Sequence, residues 1–351
     1  MITLFVSLKA LETMSLTDRW NRILCKEVKE INVYASNDEL CNYQMEEADI
    51  SPIVNLVKDG DITLNSSIDM INELIADHSK VLNYPSGIFF LDIPQNTAAD
   101  IQQKYGVICK NENDIDGNEL SDEREISCAN GEIGHSWSEF LEDVKKAPTN
   151  SLIINDRYFF ANDDEKNRDG RANLIEILNS ILPLSFSAVD PYHILLIYSQ
   201  QNNKTKCRLQ FQKLSKELVK AVEGLRKYPI EFELLSVSEN QANYELTHNR
   251  RIITNYHVIR AEHKFQAFQG DKCKCTQVLN WSMLFSKGVL EKSDAPYKSH
   301  KLLIADLCTI ANYGKEHSTS GYCYSMNGFP ARNENKDIIF SAIKNRLIVN
   351  Q

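Results

Sequence analysis

The sequence predicts an α/β protein in two parts, and three observations predict it. Short apolar, β-branched runs alternate with segments whose apolar residues recur every three or four positions, the periods of strand and helix. Proline, glycine and asparagine separate these segments. An acidic, weakly periodic stretch at 111–139 interrupts the alternation, which then resumes.

Each element follows from its local pattern. Residues 16–30 carry Leu16, Trp20, Ile23, Leu24 and Val28 at helical spacing, with Thr17 or Asp18 as a cap, and 31–35 then reads as a strand. Residues 66–82 read as a helix on Ile68, Ile71, Leu74, Ile75 and Val81, followed by Pro85 and Gly87 as punctuation. The run Ile-Phe-Phe-Leu-Asp-Ile at 88–93 suits a buried strand. Asn96 or Thr97 can cap the next helix, Gly106 ends it after Tyr105, and 107–109 is a further short strand. Within the acidic stretch only 136–144 has a helical stripe. Pro148, Thr149 and Asn150 mark a boundary, giving an N-terminal α/β domain over 1–147 and a second part over 148–351.

The second part opens on a strand at 151–160. A polar loop at 162–169 leads to a helix at 172–182, a strand at 193–198, a helix at 213–227 and a strand at 230–237. This order predicts a mainly parallel sheet with covering helices. A basic strand centred on Ile252 and Ile253 follows. Residues 287–300 and 312–328 read as long polar connections, and 336–347 as a final helix.

Composition bounds the function. The chain has 351 residues, 42% hydrophobic and 25% charged, enough to bury a core. A net charge of −9 argues against coating nucleic acid wholesale, which needs many Lys and Arg contacts to phosphate. A local basic stripe still suits one short strand or one phosphorylated ligand. Nine scattered cysteines fit reduced thiols rather than a disulfide scaffold. The start lacks a basic n-region with a long apolar core, and no run approaches a membrane span. A cytoplasmic protein with no membrane span and no cofactor is expected.

The basic stripe lies within 244–268, where His248, Arg250, Arg251, His257, Arg260, His263 and Lys264 stand against Glu245 and Glu262. On a strand, His248 and Arg250 project from one face and Arg251 from the other. A histidine beside an arginine makes a site for phosphate or carboxylate. The bland alternative is an edge strand whose charges keep it soluble.

Two segments share a pattern of polar residue, any residue, Arg, four residues, Asn: Asn155-Asp-Arg157 with Asn162, and His248-Asn-Arg250 with Asn255. Over about 151–268 this resembles a degenerate form of the phospholipase D superfamily motif, His, any, Lys, four residues, Asp, repeated once in each half of a pseudo-twofold site. Members acting on DNA tyrosyl ends carry Asn in place of that Asp. The resemblance implies that Asn155, Arg157, His248, Arg250 and Asn255 converge around a ligand. The family's mechanism uses one histidine as nucleophile and the other as acid. Here Asn155 replaces the first histidine and arginine replaces both lysines. The chain thus looks closer to non-catalytic members, such as the C-terminal domains of some membrane-remodelling proteins. The expected role is a binding module for a phosphate-bearing ligand or short nucleic acid, with a protein partner in a larger assembly. The alternatives are a phosphodiesterase or nuclease using His248, and a structural subunit whose basic stripe meets acidic protein.

Two metal readings compete with these. Cys273 and Cys275 with His263, Cys308 and Cys323 resemble a zinc cluster, but the close pair has one intervening residue rather than two to four. Asp92, with Asp100, Asp114 and Asp116 downstream, resembles an acidic metal site, yet Asp after a strand is also an ordinary loop residue. No metal is expected.

Overall fold

The computed structural model describes residues 2–15, 28–46, 52–58, 62–115, 123–161, 163–199, 211–237, 250–283, 322–325 and 343–349, together with 17, 20 and 305. The chain divides into two compact units. One comprises Met1–Asp122, Met283–Tyr297 and Asn350–Gln351; the other comprises Glu123–Ser282 and Lys298–Val349. The second unit starts upstream of Pro148 because residues 123–140 pair and pack within it, with Trp137 and Phe140 in its core.

The first unit contains β1 (Ile2–Ser7), α1 (Leu8–Ser15), β2 (Val28–Tyr34), α2 (Asn37–Glu46), α3 (Pro52–Lys58), β3 (Thr63–Ser66), α4 (Ile68–Ala76), β4 (Ile88–Leu91), α5 (Gln95–Tyr105) and β5 (Ile108–Asn111). Its five strands pair in parallel in the order β3-β2-β1-β4-β5. Strands covered on both faces carry nearly continuous apolar runs. Accordingly Leu4, Phe5 and Val6 of β1 are fully buried, and Phe5 stacks on Phe89 of β4 at 4.8 Å.

Several expectations shift here. β1 is missing from the expected elements, although it is an apolar run of the same kind as 88–93. Residues 28–30, expected to end a helix, start β2 instead; most of 16–27 lies outside the described residues. The helix expected over 66–82 divides at Asp77, whose carboxylate accepts the Ser79 amide and starts a 3-10 turn at His78–Asn83. Gly106 ends α5 as expected, at φ +63° with its amide donating to Gln102 O.

The second unit contains β6 (Glu123–Cys128), α6 (Trp137–Phe140), β7 (Ser151–Asn155), α7 (Asp169–Ile181), β8 (Tyr192–Ser199), α8 (Phe211–Glu223), β9 (Ile230–Val237), β10 (Arg251–Thr254), β11 (His257–Ala261), β12 (Phe268–Gln269), β13 (Lys272–Cys273), β14 (Gln277–Met283), β15 (Tyr322–Ser325) and α9 (Arg346–Val349). Eight of these strands form one sheet in the order β15-β9-β8-β7-β10-β11-β14-β6. β7, β8 and β9 run parallel. β10 is antiparallel to β7 and β11, β14 to β6, and β15 to β9. The sheet is mixed, where a mainly parallel one was expected. The basic segment folds back at Asn255 and Tyr256 into a hairpin, and a tight turn joins only antiparallel strands.

One face packs Leu152, Ile154, Ile194, Leu196, Phe232 and Leu234 with Leu174, Ile177 and Leu178 of α7 and Leu214, Leu218 and Val222 of α8. The other face is also buried at Ile153, Leu195, Ile197, Ile253 and Val258. There α9 packs on β7, and Asn345 just before it holds Ser151 Oγ at 2.9 Å and Leu152 O at 3.1 Å. Of the helix expected over 336–347, residues 343–345 are not helical and 336–342 lie outside the described residues.

The start of α7 sets how closely the chain leaving β7 approaches. Asp163 accepts the Gly170 and Arg171 amides at 2.9 and 3.2 Å and the Arg171 guanidinium at 3.2 Å. A Cβ on Gly170 would sit 2.3 Å from Phe159 O. Gly170→Ala is therefore expected to cost about 1–3 kcal/mol, the usual range for overpacking, read as a lower urea midpoint. An unchanged midpoint would show that the contact relaxes freely.

Candidate functional site

The strand expected over 151–160 stops at Asn155, and Asp156 stops it. This fully buried carboxylate accepts the Tyr158 amide at 2.8 Å and the Phe265 amide at 2.9 Å, while its own amide donates to Ile197 O on β8. The chain turns through 157–161, and the loop after β11 is tied to the same point. Burial pushes the Asp156 carboxyl up to about 6, opposed by those two hydrogen bonds and by the charges of Arg250 and Lys264.

This turn brings two of the expected site residues together. The guanidinium carbons of Arg157 and Arg250 each lie 5.4 Å from the centroid of the half-buried Tyr158 ring. Such distances fit cation–π attraction. Arg250 donates from Nη1 to Glu262 O at 2.7 Å. Its Nε, 3.9 Å from Asp156 Oδ1, is buried with no hydrogen-bond acceptor among the described residues. The arginines sit at the carboxyl end of β7, the side of an open α/β sheet where ligands bind.

The other three expected residues are placed differently. Asn155 is fully buried, and the β7–β10 register sets it opposite Arg251, on the sheet face away from α7 and α8. His248 lies outside the described residues, as does Asn162. Asn255 does not join the arginines, because it sits at the opposite end of β7. Its carboxamide oxygen accepts from Thr149 Oγ1, the Asn150 amide and the Ser151 amide at 3.0, 2.8 and 3.2 Å. Its nitrogen donates to Asn150 Oδ1 at 2.8 Å. Asn255 anchors the start of the strand whose far end carries the arginines.

Among the described residues, no three His, Cys, Asp or Glu side chains group as a metal would require. Asp92 and Asp100 lie after β4 and within α5, and Asp114 is 3.8 Å from Lys110. Asp116 and Cys308 lie outside the described residues. Cys273 is buried against Cys128 of β6, a neighbour that chain spacing did not suggest. No helix among the described residues is long and apolar enough to cross a membrane. No protein-family model matches the chain, and a search of curated proteins finds no match.

Sequence reasoning missed a second polar cluster. Glu231 and Glu233 of β9 and His193 of β8 share the face on which the C-terminal segment lies. Glu233 is fully buried and accepts the Lys344 amide at 2.7 Å; its Oε2 has no hydrogen bond among the described residues. Burial pushes the Glu233 carboxyl up to about 7, with Glu231 adding to the rise and Lys344 opposing it. His193, whose Nδ1 is 2.9 Å from Lys344 O, is pushed down to about 3 by burial and then by Arg346. The alternating run Ile-Glu-Phe-Glu-Leu at 230–234 carried the only signal, and it reads equally as a strand with one wet face.

Two outcomes are expected. Asn255→Ala leaves buried donors unsatisfied and should lower stability by about 1–3 kcal/mol in urea unfolding. Glu233 ionises near the ordinary glutamate value when unfolded but near 7 when folded. Folding therefore takes up a proton between those values, and this contribution to stability is lost as pH rises through them. Glu233→Gln should raise the melting temperature at pH 8, with the gain over the parent vanishing toward pH 4. A gain independent of pH would show that Glu233 does not titrate in this window.

Proposed function

We propose that the second unit is a non-catalytic binding module, resembling a degenerate phospholipase D-like domain, that holds a phosphate-bearing ligand at the carboxyl end of β7. One observation supports this reading above the others: Arg157 and Arg250, far apart in the chain, place their guanidinium groups against one tyrosine ring. Two forked donors suit a phosphate better than one, since each can form paired charge-assisted hydrogen bonds. The buried Nε of Arg250, close to Asp156 yet not hydrogen-bonded to it, is a donor that an entering oxyanion can engage. Asp156, whose Oδ1 lies 3.9 Å from that Nε, orients the arginine. The family resemblance, not the described geometry, adds His248, two residues before Arg250 in the sequence, to the proposed shell. Asn155 stands at the position where the family motif has its other histidine, and a carboxamide neither attacks phosphorus nor shuttles a proton.

The test is a titration of 5′-phosphorylated and 5′-hydroxyl oligonucleotides of one sequence at fixed salt. The parent should prefer the phosphorylated form. Arg250→Ala should weaken that form by about one to two decades, the worth of a charge-assisted contact. Arg250→Lys should restore only part of the affinity, because lysine keeps the charge and loses the fork. No preference in the parent, or no loss from Arg250→Ala, would remove the site. Hydrolysis of a phosphodiester that is abolished by His248→Ala would replace the binding module with an enzyme.

A further inference from the structure

We propose that Lys264 is a third donor to the site at the carboxyl end of β7, and that this site is built for a phosphate monoester rather than a diester. The inference rests on the binding reading above and deepens it by naming the class of phosphate. The observation behind it is how the chain that carries Lys264 is held. Residues 262–265 follow β11, and side chains from three other stretches fix their backbone at five points. Arg250 Nη1 donates to Glu262 O at 2.7 Å. The carboxamide of Gln277 on β14, itself buried, accepts the His263 and Lys264 amides at 3.1 and 3.2 Å and donates to Lys264 O at 3.1 Å. Asp156 accepts the Phe265 amide at 2.9 Å. A segment held in this way is preorganised, so a ligand that meets it is spared the cost of ordering a loop.

Two of the residues that hold this loop, Arg250 and Asp156, belong to the site itself. Lys264 is half-buried, and its ammonium makes no hydrogen bond or ion pair among the described residues. Its charge and that of Arg250 both act on the fully buried Asp156 carboxylate. The loop's own carboxylate, Glu262, accepts the Val278 amide at 3.1 Å. Cationic donors thus arrive from three stretches: the turn after β7, the residue entering β10 and the loop after β11. A phosphate monoester offers three terminal oxygens and carries about −1.5 to −2 charges at neutral pH. A diester has one terminal oxygen fewer and a single charge. Two guanidinium forks can engage two oxygens of either group. The remaining oxygen, with its added charge, exists only on the monoester and suits a compact ammonium.

The experiment titrates the full chain, at fixed salt, with two single-stranded decamers of one sequence. One ends in a 5′-phosphate, the other in the methyl ester of that phosphate, which removes one charge and keeps everything else. The parent should prefer the free phosphate. Lys264→Gln should weaken the free phosphate about tenfold and barely touch the ester, so the preference collapses. Lys264→Arg, which keeps the charge, should keep most of the preference. Arg250→Gln should weaken both ends. Only the backbone of Lys264 is hydrogen-bonded, so Lys264→Gln should leave the melting temperature unchanged, which sets loss of fold aside as the explanation. A nucleoside 5′-monophosphate, the same group on a small carrier, should depend on Lys264 in the same way, and its affinity relative to the decamer separates a free nucleotide from a strand end. Equal losses for the two decamers in Lys264→Gln would mean diffuse electrostatics, and no loss would remove Lys264 from the site. Either result, with Arg250→Gln still weakening both ends, sinks this inference and leaves the binding reading standing. Failure of the parent to bind any of the probes would instead sink the binding reading itself.

Discussion

The second unit depends on how its chain leaves β7. That strand is buried on both faces and paired on both edges, to β8 in parallel and to β10 antiparallel. Backbone groups at such a strand end have no water to turn to and must be satisfied internally. Asp156 does this with one residue, its amide closing on β8 and its carboxylate taking amides from the turn at Tyr158 and the loop at Phe265. Three stretches distant in sequence are thereby held at one point. The meeting of Arg157 and Arg250 follows from that closure.

The two ends of β7 are built on opposite principles. At its start both polar atoms of the Asn255 side chain are engaged, and the C-terminal segment adds Asn345. A fully satisfied buried network rigidifies what it touches. At its far end positive charges are gathered, two on one aromatic ring and two facing each other across a hairpin. A hydrogen-bonded start and a charged finish thus share one short strand.

The degenerate motif acquires a physical meaning from this contrast. The resemblance treats the arginine and the asparagine of His248-Asn-Arg250 with Asn255 as members of one site. In the fold, Thr254 closes β10 after four residues, so the arginine and the asparagine fall at opposite ends of the strand. Arg250 faces the rim, whereas Asn255 turns the hairpin and ties Thr149, Asn150 and Ser151. A spacing that looks like one constellation in the sequence is the length of one short strand.

The sequence by itself determined the local elements and the chemistry of the basic stretch. Apolar runs such as Ile-Phe-Phe-Leu and the stripe of Leu174, Ile177, Leu178 and Ile181 state their own periodicity, and Gly106 states where α5 ends. Arg250, Arg251 and Arg260 stand out because they are basic in an acidic chain. Tertiary structure alone decided which of these residues meet. Periodicity carries no record of which strands become neighbours, so the mixed sheet, the Asn155–Arg251–Arg260 row and the pairing of Trp137 Nε1 with Asn173 at 2.8 Å were not legible. Nor was the burial of Glu233, because a strand of alternating Glu and apolar residues reads the same whether its polar face meets water or the returning C-terminal segment. Local pattern is written in near neighbours along the chain, and a site is made by distant ones.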